Sequence, residues 1–450
     1  MKKNNRDYLT QKPPLQALLI LAFPIILGNL FQQFYNMADS AIVGRYVGEQ
    51  ALAAVGASFS LTNVFIYISI GGGMGASVIV GTYFGGKLYQ KMKTAVFTAM
   101  FSLLGLSIVL AVFGLIFSRQ IMVWLNTPAD VLELAAEYLS IYFLGLPFLF
   151  MYNVFSAMFN CIGKSRIPLC FLIFSSVLNV VLDIIMVTQF HMGVAGVAWA
   201  TLTAQGISAV FSFLVFMKEL RSLESEGHGF YDFSEFKRMI KVALPSIFQQ
   251  STVSIGLMLV QSVVNGFGTQ ALAGYSAASR VDSICFVPMI GLGNALSSYT
   301  AQNIGAGKYE RVQQGYKAAT MSVITCAAVL CVVIQTLNEP IIRMFLGEKG
   351  TETALATGMA ALSFTSWFYC GIGFKQTIDG VLRGARDMKM FTVANFVNLG
   401  IRVTFAVTMA PRFGIAMVWT AVPIGWFVNW LISYLQYRTG KWRTIYKPVK

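Results

Sequence analysis

The sequence predicts an all-α polytopic membrane protein in which twelve transmembrane helices form two pseudo-symmetric six-helix bundles. Two observations support this fold class. The first is composition: of 450 residues, 56% are hydrophobic and only 12% are charged, which is about half the charged fraction of a soluble domain. The second is an internal repeat, because "GEQALAAVGA" begins at Gly48 and "GTQALAGYSA" begins at Gly268.

Apolar runs recur along the whole chain, each with the length of about 20 residues that a helix needs to cross a bilayer. The first residues have no small-residue cleavage site after a short apolar core, so they are expected to form a tail and not a signal peptide. The twelve predicted spans are 16–43, 52–83, 94–117, 132–157, 169–188, 194–217, 240–264, 271–304, 315–337, 354–380, 391–410 and 414–437.

The formal net charge of +14 needs an explanation, since basic proteins often bind nucleic acids. Lys and Arg are concentrated in the two tails and in the loops near 84–93, 158–168, 218–241, 305–317 and 383–390. With twelve spans, all of these segments lie on one side of the membrane, and an excess of Lys and Arg marks the cytoplasmic side. The charge therefore predicts cytoplasmic termini, and no nucleic-acid partner is expected.

The repeat divides the chain into two halves. A proline precedes each copy, Pro24 in "LAFPIILGN" and Pro245 in "VALPSIFQQ". Parallel repeats of this kind are typical of transporters, whose two bundles move around a central cavity. The predicted domains are a first six-helix lobe with an ion site (1–217), a cytoplasmic linker (218–239), a second six-helix lobe (240–437) and a cytoplasmic tail (438–450).

Two other classes of protein are disfavoured by their motifs. Residues 81–88, "GTYFGGKL", resemble a phosphate-binding loop, but Leu88 stands where Ser or Thr would bind magnesium. Asn294 in "GLGN" stands where an intramembrane aspartyl protease would carry its acid. We therefore expect neither an ATPase nor an enzyme, and no cofactor, so that any uphill transport depends on an ion gradient.

Acidic residues inside spans are costly and usually functional. Apart from Glu133 and Glu137 at the beginning of the fourth span, the spans contain four of them: Asp39, Asp183, Asp282 and Asp379. Asn179 and Asp183 are four residues apart and therefore share one helix face. At about 1.5 Å per residue, Asp39, Asp183 and Thr201 lie roughly 6, 8 and 10 Å below the outer ends of their spans. These similar depths predict one cluster in the outer half of the first lobe.

The chemistry of such a cluster suits a coupling ion. Two carboxyl groups in a medium of low dielectric constant cannot both ionise at low cost, so Asp39 and Asp183 are expected to take up and release a proton together. With the Asn179 amide oxygen and the Thr201 hydroxyl they also form an all-oxygen set that suits Na⁺. The second half has no carboxylates at the equivalent positions, so coupling ions are expected in the first half.

Several strings resemble one transporter family. "FPIILGNLFQQFYNMADSAIVGRYVG", the repeated QALA motif and "LNVVLD" together resemble MATE (multidrug and toxic compound extrusion) transporters of the DinF-type branch, over essentially the whole chain. The resemblance implies an ion site at Asp39, Asn179, Asp183 and Thr201 and a hinge at Pro24. It also implies export of cationic or amphiphilic organic compounds in exchange for H⁺ or Na⁺, by a monomer in the lipid bilayer of a bacterial inner membrane.

Candidate substrate contacts lie in both halves. Side chains suited to organic cations are predicted to line a cavity at Tyr35, Met151, Tyr152, Phe286 and Trp367, with helix packing as the alternative role of each. Asp282 and Arg402 are expected either to pair with each other or to contact the substrate. Lys375 and Asp379 are expected to extend toward the cytoplasmic surface.

Two further inferences depend on the resemblance. The other MATE branch carries acids on helices 7 and 10, where this chain has Gln249 and Gln250 and the acid-free string "WFYCGIGFKQ". This difference argues against a second-lobe ion site.

The alternative function is a flippase for lipid-linked glycans with the same two-lobe plan, which would need several cationic residues in its cavity. Only Arg280 and Arg402 are candidates.

Overall fold

A computed structural model of the chain describes residues 7–225, 227–347 and 350–446, and these residues are almost entirely helical. The α-helices are α1 (Tyr8–Gln11), α2 (Pro14–Ile42), α3 (Glu49–Gly85), α4 (Tyr89–Trp124), α5 (Leu132–Cys161), α6 (Arg166–Thr188), α7 (Gly193–Arg221), α8 (Phe233–Asn265), α9 (Thr269–Gly305), α10 (Tyr309–Leu346), α11 (Glu352–Ser366), α12 (Tyr369–Gly384), α13 (Met388–Thr404), α14 (Ala410–Phe413) and α15 (Ala416–Arg438). Two π-helical turns, Val43–Val47 and Phe405–Met409, and a 3₁₀ turn, Lys441–Arg443, complete the described part.

Eleven stretches within the described residues are helical, long and apolar enough to cross a membrane. They agree with eleven of the twelve predicted spans. The remaining span, predicted over 354–380, consists of two short helices, α11 and α12, which meet at Trp367 and Phe368. At this break the Phe368 N–H donates to Thr365 O at 3.0 Å and the Gly371 N–H donates to Phe368 O at 2.8 Å. The tenth span is therefore interrupted and not continuous.

Equivalent turns in the two halves depend on glycine. Gly48 has φ 110° before α3, and Gly268 has φ 93° before α9. Glycine is the residue that adopts such positive φ values without steric cost. The repeated "G-x-QALA" motif therefore encodes the same backbone turn twice, immediately ahead of the second span of each half.

The chain forms two compact units. One comprises Met1–Ile26 and Phe248–Lys450, and the other comprises Leu27–Ile247. Each boundary passes through a helix, two or three residues after a proline: Pro24 in α2 and Pro245 in α8. The predicted lobes are 1–217 and 240–437. In the compact units, by contrast, the first part of α2 is grouped with the second half of the chain and the first part of α8 with the first half. The two lobes stay a prediction based on the repeat.

Within the unit 27–247, small residues allow close helix packing. A Cβ atom added at Gly75 of α3 would overlap the backbone of Ala243 in α8. Phe143 of α5 covers Gly114 of α4 and packs edge-on against Phe65 of α3, with ring centroids 5.2 Å apart. Because lipid supplies little hydrophobic driving force, such close contacts are the main source of helix association in a bilayer.

The unit containing Phe248–Lys450 is built around α9 and the interrupted span. A Cβ atom added at Gly380 of α12 would overlap Gly293 O of α9. The two backbones therefore touch. This contact fixes α12, and with it the polar side chains described below, against α9.

Candidate functional site

Polar side chains from three helices of the unit 27–247 meet in one place. The structure brings together Asp39 of α2, Asn179 and Asp183 of α6, and Thr201 of α7, together with Tyr35 of α2. We call these five residues the acid cluster. The proximity agrees with the similar depths of the first four residues in their spans. Tyr35, predicted for the substrate cavity, belongs to this cluster.

Asn179 is the centre of the acid cluster and is 2% exposed. Of the two orientations of its amide, one satisfies both polar atoms. In that orientation Nδ2 donates to Asp183 Oδ2 at 3.1 Å and to Tyr35 Oη at 2.5 Å, while Oδ1 accepts from the Thr201 backbone N–H at 3.0 Å and from Thr201 Oγ1 at 3.2 Å. One amide thereby connects α2, α6 and α7.

The two acids of the cluster contact each other directly. The carboxyl groups of Asp39, which is half-buried, and Asp183, which is fully buried, lie within hydrogen-bonding reach of each other. A carboxylate has no proton to donate, so a hydrogen bond between two carboxyl groups requires that one of them is protonated. A proton bound to either acid can therefore be shared by the pair.

Each acid also keeps an unused oxygen. Within the described residues, Oδ1 of Asp39 and Oδ1 of Asp183 are buried and have no hydrogen-bond partner. Unpaired buried oxygens are costly unless a proton or cation occupies them. The donor set is thus compatible with H⁺ and, through these two oxygens, with Na⁺.

A narrow cavity lies beside the cluster. Its volume is about 10 Å³, enough for a single water-sized sphere. Its lining consists of Tyr138, Tyr142, Gly145, Ala198, Thr201, Leu202 and Gln205. Tyr138 of α5 also lies within electrostatic range of Asp39 and Asp183. Such a cavity admits water or a small ion and excludes an organic substrate.

The other two substrate residues predicted in this unit lie on α5. Met151 packs against the apolar core between α3, α4 and α5. Tyr152 Oη donates to Pro168 O at 3.4 Å. Both side chains contribute to helix packing, and their contact with a substrate stays a prediction.

In the unit containing Phe248–Lys450, Asp282 of α9 lies among aromatic rings. Asp282 Oδ1 accepts a hydrogen bond from Tyr369 Oη at 2.7 Å. Phe286, one turn later, packs edge-on against Tyr369 and Trp426, with centroid distances of 5.7 and 5.3 Å. A carboxylate beside aromatic faces can attract an organic cation by charge and by cation–π contact.

Neither Arg402 nor Trp367 forms a hydrogen bond or ion pair with Asp282 within the described residues. The ion pair between Asp282 and Arg402, one of the two alternatives from the sequence, does not occur within the described residues. Arg402 lies near Tyr275 instead, and its Nε is buried without a hydrogen-bond partner in the described part of the chain. Trp367 is 68% exposed and lines a groove of about 510 Å³ with residues of α10, including Gln335.

The comparison with protein families decides the identity. The MatE family model matches residues 24–185 and 245–408, more than half of the chain. The chain belongs to the MatE family. The two matched ranges begin at Pro24 and at Pro245, so each half of the repeat is one copy of the family unit.

Individual relatives agree with this membership. The chain is 29% identical to the probable multidrug resistance protein YpnP of Bacillus subtilis (strain 168), over 97% of each protein. It is 23% identical to the multidrug export protein MepA of Staphylococcus aureus (strain MSSA476), over 93% of each. A solved multidrug resistance MATE family transporter in an outward-facing conformation superimposes with a TM-score of 0.88, at 22% identity, over 99% of this chain and all of that one. The twelve-helix, two-lobe fold class is thus confirmed.

This MatE chain also contains a second buried polar group, centred on Asp379 of α12. Asp379 Oδ2 accepts from Lys375 Nζ at 3.0 Å, from Gln249 Nε2 at 3.1 Å and from Asn395 Nδ2 at 3.4 Å, and Oδ1 accepts from Ser433 Oγ at 3.2 Å. We call these five residues the lysine–aspartate network. Lys375 is 5% exposed and Asp379 is 1% exposed. The expectation that they extend to the cytoplasmic surface is therefore wrong.

The two buried groups differ in one respect that matters for ion binding. In the lysine–aspartate network both oxygens of Asp379 have donors, and Lys375 neutralises the charge within the network. In the acid cluster each acid keeps an unpaired oxygen. The lysine–aspartate network thus has no unpaired carboxylate oxygen for a cation, whereas the acid cluster has two such oxygens.

Proposed function

We propose that the chain is a secondary active antiporter that exports cationic or amphiphilic organic compounds in exchange for H⁺ by alternating access. The observation that carries this proposal is the close approach of the carboxyl groups of Asp39 and Asp183 beside Asn179. Two carboxyl groups this close can hold a proton between two different helices of a membrane-spanning unit. The relatives named as multidrug resistance and export proteins support the substrate class.

The proton would act as a link between α2 and α6. While it is shared, Asp39 and Asp183 attract each other. After its release, two adjacent carboxylates repel in a medium of low dielectric constant, which favours separation of the two helices. Asn179 would transmit this change to α7, because its amide bonds Thr201 as well as Asp183.

The substrate would bind to other residues than those that hold the proton. Asp282, with Phe286, Tyr369 and Trp426, supplies charge and rings suited to an organic cation. This group and the acid cluster belong to different compact units. Exchange would therefore depend on a change of conformation and not on competition for one carboxylate.

Na⁺ is the alternative coupling ion. It would take the unpaired oxygens of Asp39 and Asp183, with the Thr201 hydroxyl nearby. We favour H⁺ because a proton needs only the two carboxyl groups, whereas Na⁺ needs several oxygen ligands and the Asn179 amide oxygen already accepts two hydrogen bonds from Thr201. For the flippase alternative the sequence offers only Arg280 and Arg402 as cationic residues of the cavity, and the relatives are named as multidrug resistance and export proteins.

The positive-inside distribution supports insertion in a plasma membrane with both termini in the cytoplasm. Bacterial relatives support a bacterial inner membrane. A monomer contains both groups of side chains that the mechanism uses.

Replacement of Asp183 by Asn tests the proposal. Asp183→Asn keeps the shape and the hydrogen bond to Asn179 but cannot exchange a proton, so we expect efflux from cells or vesicles to fall to background while expression and folding are unchanged. Asp130→Asn is the matched control, because Asp130 is exposed in the turn between α4 and α5. Undiminished efflux in Asp183→Asn would rule out this site as the coupling site.

A further inference from the structure

A groove runs along the outside of the unit 27–247 between α4 and α7. Both helices pack against α5, so a furrow is left between them. Its volume is about 560 Å³, within the range of ligand-binding pockets. The lining consists of Lys93, Phe97, Phe213, Leu214, Met217, Lys218, Leu220 and Arg221.

One end of the groove is cationic. Lys93 is near the start of α4, and Lys218 and Arg221 lie in the last turn of α7. This is the end that the positive-inside rule places at the cytoplasm. Lys93 is buried and donates to Leu223 O at 2.7 Å, whereas the side chains of Lys218 and Arg221 are exposed and have no hydrogen bond or ion pair within the described residues.

Glu219 does not form an ion pair with either exposed cation of this end. Glu219, between the two cations in sequence, pairs with Lys164 at 2.6 Å and is absent from the groove lining. The lining contains three cations and no acid. Its charge is therefore complementary to an anion.

The rest of the groove is apolar and faces outward from the bundle. Phe213 is 37% exposed and Leu214 is 54% exposed, in a helix that crosses the membrane. A groove with apolar walls and a cationic cytoplasmic end matches a molecule with an acyl chain and a phosphate.

A segment of the linker packs against α4 beside the cationic end. The N–H groups of Gly229 and Asp232 donate to Thr94 Oγ1 and Thr98 Oγ1, each at 3.0 Å. The His228 ring stacks on Phe97, with centroids 4.9 Å apart and planes 16° apart. The linker therefore holds Phe97 in place as one wall of the groove.

We propose that this groove binds one anionic phospholipid of the cytoplasmic leaflet. Its phosphate lies against Lys218 and Arg221 with Lys93 behind them, and one acyl chain lies along Phe97, Phe213, Leu214 and Met217. Basic pockets between transmembrane helices at the cytoplasmic side are suited to anionic headgroups. The site is separate from the acid cluster and does not depend on the exchange mechanism.

The test is lipid retention by the full-length protein. The protein is reconstituted in nanodiscs of phosphatidylcholine with a minor fraction of phosphatidylglycerol, extracted, and examined by native mass spectrometry for bound lipid. We expect one phosphatidylglycerol to be retained in preference to phosphatidylcholine. In the double variant Lys218→Gln, Arg221→Gln the affinity should fall about 10- to 30-fold, since each cation near a membrane surface contributes about 1 kcal/mol and 1.4 kcal/mol is tenfold.

The matched control is Lys91→Gln, Lys241→Gln, which removes two exposed cations that do not line the groove. This control should retain the lipid as the native protein does. Lys93 is left unchanged because it is buried and its loss would disturb folding. Equal loss in both double variants, or equal retention of phosphatidylcholine and phosphatidylglycerol, would overturn the proposal, as would binding of glycerol phosphate with the affinity of the lipid.

Discussion

At the residue scale, the lysine–aspartate network shows how a buried charge is tolerated in a membrane protein. Asp379 has a donor on both oxygens, and Lys375, one turn earlier on α12, lies 3.0 Å away. A buried ion pair recovers its desolvation cost only when its geometry is good and further hydrogen bonds complete it. Gln249, Asn395 and Ser433 supply those bonds from three other helices.

Loss of one partner should therefore be costly. We expect Asp379→Asn to destabilise the protein by about 3–5 kcal/mol, because Lys375 would remain buried without a counter-charge. The measurement is thermal unfolding in detergent, where a clear drop of the melting temperature is expected. The double variant Lys375→Met, Asp379→Asn should recover much of the loss, because it removes both charges.

The control for that prediction is an exposed pair with the same spacing. Glu339 and Arg343 lie 2.8 Å apart on α10, with both side chains 52% exposed. Exposed pairs contribute little, so Glu339→Gln should leave the melting temperature almost unchanged. If Asp379→Asn melts at the same temperature as Glu339→Gln, the network does not stabilise the unit.

The sequence alone could predict the acid cluster but not its neighbours. Asn179 and Asp183 share a helix face by spacing, and Asp39 and Thr201 lie at similar depth, so four residues could be grouped without coordinates. Tyr138 and the lysine–aspartate network could not be grouped in this way. Isolated tyrosine, glutamine and serine residues in spans are common, and only the tertiary fold shows which acid they contact.

At the element scale, the two prolines mark similar positions in two helices. Pro24 and Pro245 lie inside α2 and α8, just before each helix passes from one compact unit to the other. A proline inside a helix removes one backbone hydrogen bond and makes bending easier at that point. This arrangement supports the hinge predicted at Pro24 and adds Pro245 as its counterpart.

Replacement of these prolines tests the hinge. In Pro24→Ala and in Pro245→Ala the missing backbone hydrogen bond can form, so the helix becomes stiffer and efflux should fall several-fold while the protein stays folded. Pro147→Ala is the control, because Pro147 lies inside α5, which belongs entirely to one unit. Efflux that is reduced equally in all three variants would show that helix prolines matter only for packing.

The interrupted tenth span illustrates what hydropathy cannot detect. The string around Trp367 and Phe368 contains no proline and is apolar, so its periodicity predicts one continuous helix. At the break, the N–H groups of Phe368 and Gly371 each donate to the carbonyl three residues earlier, and not four residues earlier as in an α-helix. Because α12 packs backbone to backbone on α9 at Gly380 and Gly293, tertiary packing dominates over local propensity here.

At the scale of the whole molecule, the two halves of the repeat share backbone features but differ in their buried polar side chains. The family model matches both halves, and both carry the glycine turn and the helix proline. One half holds two acids with unpaired oxygens, whereas the other half holds an acid already neutralised by Lys375. On the proposed mechanism, ion binding in one half is enough to change the conformation of the duplicated fold.

This division predicts how proton and substrate movement are linked. In proteoliposomes without sodium, an imposed gradient of an organic cation such as ethidium should drive protons in the opposite direction, detected by a pH-sensitive dye inside the vesicles. Asp39→Asn and Asp183→Asn should each abolish the proton signal, and the double variant should lose no more than either single one, since one shared proton needs both acids. Asp130→Asn should keep the full signal. If ethidium transport occurs only when sodium is added, Na⁺ is the coupling ion. If the proton signal persists in Asp183→Asn, proton movement does not depend on the acid cluster.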